Sequence, residues 1–253
     1  MVNKIKKQPQ VIETKVDRDS LVLFFESINL VKDITFKEVL VDFQSKSITL
    51  YVKSEDKTFV VKGVYSGTFE PKGQVGIKDL GAFVSYLKSM EKEFSIAFLE
   101  GKAILKSSNS KISVVLKSSS YIVNSAEPEK VENSLKTLEN QIEIPLTKET
   151  YKDISNQCKL FKSIELTIEG KENSLYLKTS NQENQNSLVK KYPLKNLNSD
   201  FKFILGNKIV QLFECLNVES IMLKIPKEKP NKIGLSVKTD SFSLDYILGL
   251  KVE

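Results

Sequence analysis

Hydrophobic and polar positions repeat in the same order four times along this chain of 253 residues. Each time, a short alternating run precedes a stretch with apolar residues three or four positions apart, and three more alternating runs follow. Alternation is typical of half-buried strands, and the wider spacing is typical of an amphipathic helix. The pattern therefore predicts a unit of strand, helix and three strands, called a module below, in four copies.

The helices give the clearest signal in each module. In the second module, Leu80, Phe83, Val84, Leu87 and Met90 form one apolar stripe, with Lys88 and Lys92 on the other side. The four helices are predicted to begin near residues 18, 79, 147 and 206, so the module recurs about every 60 residues. The strands predicted after the helices run over 36–43, 47–53, 58–65, 94–99, 102–107, 111–123, 163–169, 174–180, 187–194, 220–225, 232–238 and 241–250.

A single helix of about three turns covers only part of a three-stranded sheet, so two modules are expected to share a core. The predicted fold class is α+β, with two similar domains of two modules each and with the helices on one face of an antiparallel sheet. The predicted boundaries are a basic flexible arm at 1–10, domains at 11–124 and 141–253, and a connector at 125–140. Within the connector, Val131, Leu135 and Leu138 are spaced for a turn or two of helix.

Composition and motifs argue against catalysis. The chain has no histidine, which removes the commonest general base and the histidine-activated nucleophiles. Cys158 and Cys215 each lie in a helical apolar pattern and are interpreted as small buried hydrophobes rather than as metal ligands or a disulfide. No phosphate-binding loop or metal motif is found, and Glu149 with Asp153 fits surface ion pairing better than acid–base chemistry. A non-enzyme without cofactor or metal is expected.

The chain also lacks a segment typical of membranes or export. No run approaches the roughly 18 apolar residues of a membrane span, and the basic start MVNKIKKQPQ is not followed by an apolar stretch. We therefore expect an intracellular protein that does not bind membranes.

Basic residues on the helices suggest a polyanionic partner. Lys and Arg number 38 against 32 Asp and Glu, a net charge of +6, so their arrangement matters more than their number. Acidic residues such as Glu26 and Glu214 share the same faces, so a solvated surface of mixed charge is the alternative. The candidates for contact with phosphates, without reading bases, are Arg18, Lys88, Lys92, Lys148, Lys152, Lys159 and Lys208.

The element order, together with VGIKDLGAFVSYLKSM, FSIAFLEGKAILKSSNSKISVVL and YIVNSAEP, resembles the DNA sliding clamps of the two-domain trimeric type, as in T-even phages and proliferating cell nuclear antigen. The resemblance covers nearly the whole chain and depends on architecture more than on a motif. It implies a processivity factor, a homotrimeric ring that encircles double-stranded DNA and tethers the replicative DNA polymerase. A clamp loader is a further implied partner. The implied compartment is the host cytoplasm for a phage protein, and a nucleus or replication compartment otherwise.

The resemblance also implies positions for two interfaces. The strand at 111–123 of one subunit would pair with the strand at 187–194 of the next, and the implied subunit-interface residues are Ile112, Val114, Leu116, Leu188, Lys190 and Tyr192. A hydrophobic pocket under the connector would bind partner peptides, although ordinary core packing explains the same residues. The implied pocket residues are Val131, Leu135, Leu138, Tyr246, Leu248 and Leu250.

Two other functions remain open on the sequence alone. One is a monomeric processivity factor of the same fold that grips linear duplex DNA directly. The other is a β-rich viral structural protein that does not bind DNA.

Overall fold

The computed structural model describes residues 14–29, 38–54, 58–67, 69, 73–99, 101–122, 126–138, 141–162, 165–180, 187–193, 200–226 and 232–249. The predicted arm at 1–10 lies outside these ranges. Among the described residues, no helix has both the length and the hydropathy to cross a membrane.

The four modules are present in the predicted order. Module 1 contains β1 (Thr14–Asp17), α1 (Arg18–Asn29), β2 (Val39–Gln44), β3 (Ser47–Lys53) and β4 (Phe59–Ser66). Module 2 contains β5 (Gly73–Ile77), α2 (Leu80–Ser89), β6 (Glu93–Leu99), β7 (Lys102–Lys106) and β8 (Lys111–Val115). The connector forms α3 (Pro128–Lys136).

The second half repeats this arrangement. Module 3 contains β9 (Gln141–Thr147), α4 (Lys148–Leu160), β10 (Glu165–Lys171), β11 (Ser174–Ser180) and β12 (Ser187–Pro193). Module 4 contains β13 (Phe201–Gly206), α5 (Asn207–Cys215), β14 (Ser220–Pro226), β15 (Lys232–Lys238) and β16 (Phe242–Gly249).

Local chemistry explains where the helices begin. Asp17 Oδ2 accepts a hydrogen bond from Ser20 N at 2.9 Å, and Asp79 Oδ1 accepts one from Ala82 N at 2.8 Å. Thr147 Oγ1 does the same for Thr150 N at the start of α4. Each side chain satisfies a backbone N–H that has no partner inside the first turn.

The first strand of each module joins the sheet of the module beside it. β1 pairs with β6 and β5 pairs with β2, while β9 pairs with β14 and β13 pairs with β10. The result is two four-stranded sheets, β1-β6-β7-β8 and β12-β11-β10-β13, and one eight-stranded sheet, β5-β2-β3-β4-β16-β15-β14-β9. Modules 1 and 2 are thereby interlocked, and so are modules 3 and 4.

The last strand of module 2 is shorter than the predicted 111–123. Leu116 N donates to Gly101 O at 2.9 Å, and the next residue, Lys117, exchanges two backbone hydrogen bonds with Gly76 of β5. A short 3-10 helix, Ser119–Tyr121, then turns the chain away. Pairing with β5 therefore ends the strand at Val115.

The two halves of the chain meet where β4 and β16 pair antiparallel, from Phe59 opposite Leu248 to Tyr65 opposite Phe242. Helix α1 packs over this junction, because the Phe24 ring lies 5.6 Å from the rings of both Tyr65 and Phe242. A Cβ at Gly63 would approach Phe24 and Leu244 to 3.0 Å, so glycine permits this close packing.

A buried hydrogen bond ties the two halves together at the same place. Tyr246 OH on β16 donates to Ser27 O on α1 at 2.6 Å, and the side chain is 2% exposed. Burial raises the pKa of Tyr246, so the phenol stays protonated and donates at every ordinary pH.

We expect Tyr246→Phe to lower the free energy of unfolding by about 1 kcal/mol, the usual net value of one buried hydrogen bond. Urea unfolding at fixed protein concentration measures the change. Tyr121→Phe is the control because Tyr121 is 71% exposed, and its midpoint should equal that of wild type. Equal midpoints for both variants would contradict a stabilising role of this bond.

Candidate nucleic-acid and subunit interfaces

Strands β8 and β12 each end a four-stranded sheet, so one side of each strand lacks a neighbour within the described chain. On β8, Ile112 and Val114 pack against the core, whereas Val115 is 80% exposed. On β12, Tyr192 packs against the core and Val189 is 56% exposed. Unpaired edges with exposed apolar residues favour pairing with another strand.

Asp153 of α4 holds the inward side chains of β12. Lys190 Nζ and Tyr192 OH both donate to Asp153 Oδ2 at 2.5 Å, and Gln157 Nε2 donates to the same atom at 2.7 Å. Burial alone would raise the pKa of Asp153, but these hydrogen bonds outweigh it and hold the pKa below its ordinary range. The edge strand is thus fixed to its own helix layer.

The structure sorts the six predicted subunit-interface residues into different positions. Ile112, Val114 and Leu188 lie on the edge strands, and Lys190 and Tyr192 are bound to Asp153 within the same chain. Leu116 lies beyond β8 and is buried, with its N–H directed to Gly101, so its placement in the edge strand was wrong. Sequence reasoning missed the exposed Val115 and Val189, which the alternation of each strand could have indicated.

Four of the seven predicted DNA-facing residues form ion pairs with neighbouring acids. Arg18 pairs with Asp19 at 2.8 Å, Lys148 with Glu219 at 3.5 Å, and Lys159 with Glu214 at 2.7 Å. Lys88 pairs with Glu26. These side chains keep from 31% to 56% of their surface exposed, and such pairs contribute little to stability.

The other three predicted DNA-facing residues differ from one another. Lys152 Nζ donates to Glu214 O at 2.5 Å, near the end of α5, and burial lowers the pKa of Lys152. Lys208 Nζ donates to Thr58 Oγ1, just before β4. Lys92 is exposed but lies after α2, which ends at Ser89, so its predicted place on the helix was wrong. Lys152 and Lys208 therefore have roles within the fold.

Helix α3 packs on the face of the eight-stranded sheet that lies opposite α1. Val131 and Leu138 of the connector form a small cluster with Ala126 and Ile247, and Tyr51, Val60 and Leu135 pack around it. This cluster is separate from the main core, which contains the alternate residues of the same strands. The connector therefore covers part of the sheet opposite α1.

This cluster corrects the predicted pocket. Tyr246 and Leu248 are buried in the main core on the other face of β16, so they do not meet Val131, Leu135 and Leu138. Because successive strand residues point to opposite faces, Ile247 is the residue of β16 that packs against the connector. Leu250 lies outside the described residues.

Glu132 anchors α3 to the sheet. Its Oε1 accepts from Tyr51 OH at 2.7 Å and pairs with Lys62 Nζ at 2.6 Å. Burial alone would raise the pKa of Glu132, but hydrogen bonds from Lys62 and Tyr51 outweigh it and hold the pKa below 4.5, its ordinary value. Burial, with the neighbouring Glu132, raises the pKa of Tyr51 to about 12.

No family model and no curated protein sequence matches the chain. Solved structures match it over almost its full length. The PCNA of A. fulgidus, solved with the C-terminal region of FEN-1, has a TM-score of 0.75 at 13% identity, covering 96% of this chain and 99% of that chain.

Two further matches come from other organisms. For Entamoeba histolytica proliferating cellular nuclear antigen the TM-score is 0.72 at 14% identity, covering 95% of this chain and 98% of that chain. A putative DNA polymerase III beta subunit from Eubacterium rectale gives 0.70 at 15% identity, covering 95% of this chain and 65% of that chain. The chain therefore has the α+β fold of the DNA sliding clamps, and the resemblance drawn from the sequence is confirmed for the fold.

We expect docking of α3 to weaken as the pH falls below 4.5. A carboxyl whose pKa is depressed in the folded state adds stability above its unfolded pKa, and this stability is lost as the pH falls through the folded value. Glu132→Gln should expose the α3 amides to hydrogen exchange even at neutral pH, and should flatten their acid dependence.

Glu129→Gln is the matched control, because Glu129 lies on the exposed side of the same helix. Its α3 exchange should follow that of wild type. Wild-type protection of α3 in Glu132→Gln at neutral pH would show that Glu132 does not anchor the helix.

Proposed function

We propose that the protein is a DNA sliding clamp, a non-enzymatic processivity factor for DNA replication. Three copies close head to tail into a ring around duplex DNA, and the ring tethers a replicative DNA polymerase. The main support is the match of 96% of this chain to a clamp structure that it covers almost completely.

The edges of the sheets support the proposed ring. A head-to-tail contact uses two different surfaces of one chain, and it closes when the rotation between copies returns to the start. Strands β8 and β12 supply two such surfaces at the ends of different sheets. Pairing them between copies satisfies backbone groups that each copy alone leaves to water.

Contact with DNA is assigned to the exposed lysines of the helices. Lys88, Lys148 and Lys159 have partners on the protein surface, but exposed ion pairs add only about 0–1 kcal/mol each. A phosphate can therefore replace the carboxylate at small cost. Contacts of this kind do not read bases, so the ring slides along any sequence.

The partner-peptide surface is assigned to the connector side of the sheet. The PCNA of A. fulgidus was solved with the C-terminal region of FEN-1 bound to it, so one protein with this fold binds a segment of another protein. Here Val131, Leu135 and Leu138 lie beside Ile247 at the junction of β4 and β16. The DNA polymerase and the clamp loader are the proposed partners at this surface.

Charge reversal on the helices tests contact with DNA. We expect the triple change of Lys88, Lys148 and Lys159 to Glu to shorten primer-extension products on a primed circular template, because phosphates would meet carboxylates. Lys152 is left unchanged because it binds the end of α5. Product length per binding event, measured with the protein's own polymerase and loader, is the readout.

The matched control changes Lys46, Lys171 and Lys238 to Glu, which alters net charge equally but at exposed positions away from the helices. Its products should keep the wild-type length. If the triple helix variant forms a ring of unchanged mass and still gives primer-extension products of wild-type length, these lysines do not contact DNA.

A further inference from the structure

The four modules each end in a strand, namely β4, β8, β12 and β16, and the chain already pairs two of these strands. β4 of module 1 and β16 of module 4 form the antiparallel junction of the eight-stranded sheet. β12 holds the place of β4 in the second half, and β8 holds the place of β16 in the first half. The junction inside the chain is therefore a template for a junction between two copies.

The hairpins make the first equivalence residue by residue. In the β3–β4 hairpin Ser47 is opposite Ser66, and in the β11–β12 hairpin Ser174 is opposite Pro193, so Ser66 corresponds to Pro193. At the other end of the hairpins Val60 is opposite Lys53 and Ser187 is opposite Ser180, so Val60 corresponds to Ser187. Counting along the strand, Lys62 corresponds to Val189.

The second equivalence follows from the strands that pair with the residues before α1 and α4. Asp17 is opposite Glu93, and Thr147 is opposite Ser220, which aligns β6 with β14. Ser95 on β6 then corresponds to Met222 on β14. Ser95 is opposite Lys106 and Met222 is opposite Ser236, so Lys106 corresponds to Ser236. Lys106 is in turn opposite Lys111, and Ser236 is opposite Asp245, so Lys111 corresponds to Asp245.

Within the chain, Asp245 is opposite Lys62 and Tyr246 is opposite Val61. Building on the proposed ring, we propose that β8 of one copy pairs antiparallel with β12 of the next in a single register, with Lys111 opposite Val189, Ile112 opposite Leu188, and Ser113 opposite Ser187. The partner at this edge is thus a second copy of this chain, held by main-chain hydrogen bonds and one apolar pair.

Backbone directions agree with this register. Because Leu116 N–H points to β7, the backbone groups of Lys111 and Ser113 point to the free edge. On β12, Pro193 corresponds to Ser66, whose N–H crosses the internal junction to Ser241 O at 2.8 Å. Val189 and Ser187 share that direction, and proline, which has no N–H, ends the ladder.

Side chains agree as well. Ile112 and Leu188 are both only partly buried in the single chain, so facing each other completes the burial of both. A shift of two residues would set Lys111 directly opposite Lys191, where like charges repel. A shift of four would join the exposed Val115 and Val189, but it would place Lys111 opposite Pro193 at the end of the ladder.

Cysteine pairs distinguish the three registers. All variants carry Val189→Cys and Cys215→Ser, combined with Lys111→Cys, Ser113→Cys or Val115→Cys, and all three partner positions are exposed. Directly opposite residues have Cα atoms about 5.5 Å apart, within the range of a disulfide. Diagonal neighbours are about 7–8 Å apart and cannot be bridged without backbone movement.

We expect mild oxidation to convert the Lys111→Cys variant into a covalent trimer, with at least a tenfold slower reaction for the other two. Faster cross-linking through Ser113→Cys or Val115→Cys overturns the register, as does a trimer by light scattering that cross-links in none of the three. A protein that light scattering finds monomeric before oxidation overturns the proposed ring itself, so the two failures are distinguishable.

Discussion

The antiparallel pairing of β4 with β16 is the interaction on which the rest of the molecule depends. It joins two interlocked pairs of modules into one eight-stranded sheet, and α1 seals it through the ring of Phe24 and the bond from Tyr246 to Ser27. Since β4 and β16 satisfy each other, the corresponding strands β8 and β12 are left at sheet ends. The same pairing therefore joins the two halves of the chain and leaves the two edges that the proposed ring uses.

In the proposed clamp, the α1-covered face of that sheet lies toward DNA and the opposite face binds a protein partner. One face carries α1, with Phe24 packed between Tyr65 and Phe242, and the other carries α3, held by Glu132. Weak exposed ion pairs on the helices suit contacts that exchange rapidly along DNA. The connector packs its apolar residues against the opposite face, where the protein partner is proposed to bind, so one layer of strands separates the two proposed contacts.

Local pattern explains what the sequence could predict. Helix stripes, caps such as Asp79 and Thr147, and alternating strands depend on neighbouring residues, so the repeated module was predictable. The exchange of first strands between modules depends on distant residues and was not. The prediction chose the wrong face of β16, and so it assigned Tyr246 and Leu248 to the connector cluster in place of Ile247. The hydrogen bonds to Asp153 join residues that are far apart in the sequence, so no spacing rule predicts them.

In the proposed ring, the free edges of each chain pair with those of its neighbours and close around a space for DNA. Single-particle electron microscopy of the purified protein, at concentrations where light scattering finds an assembly, tests for this ring. We predict closed rings of three copies with a central hole lined by helices and wide enough for duplex DNA. Compact particles without a hole, or open chains of copies, would rule out the ring.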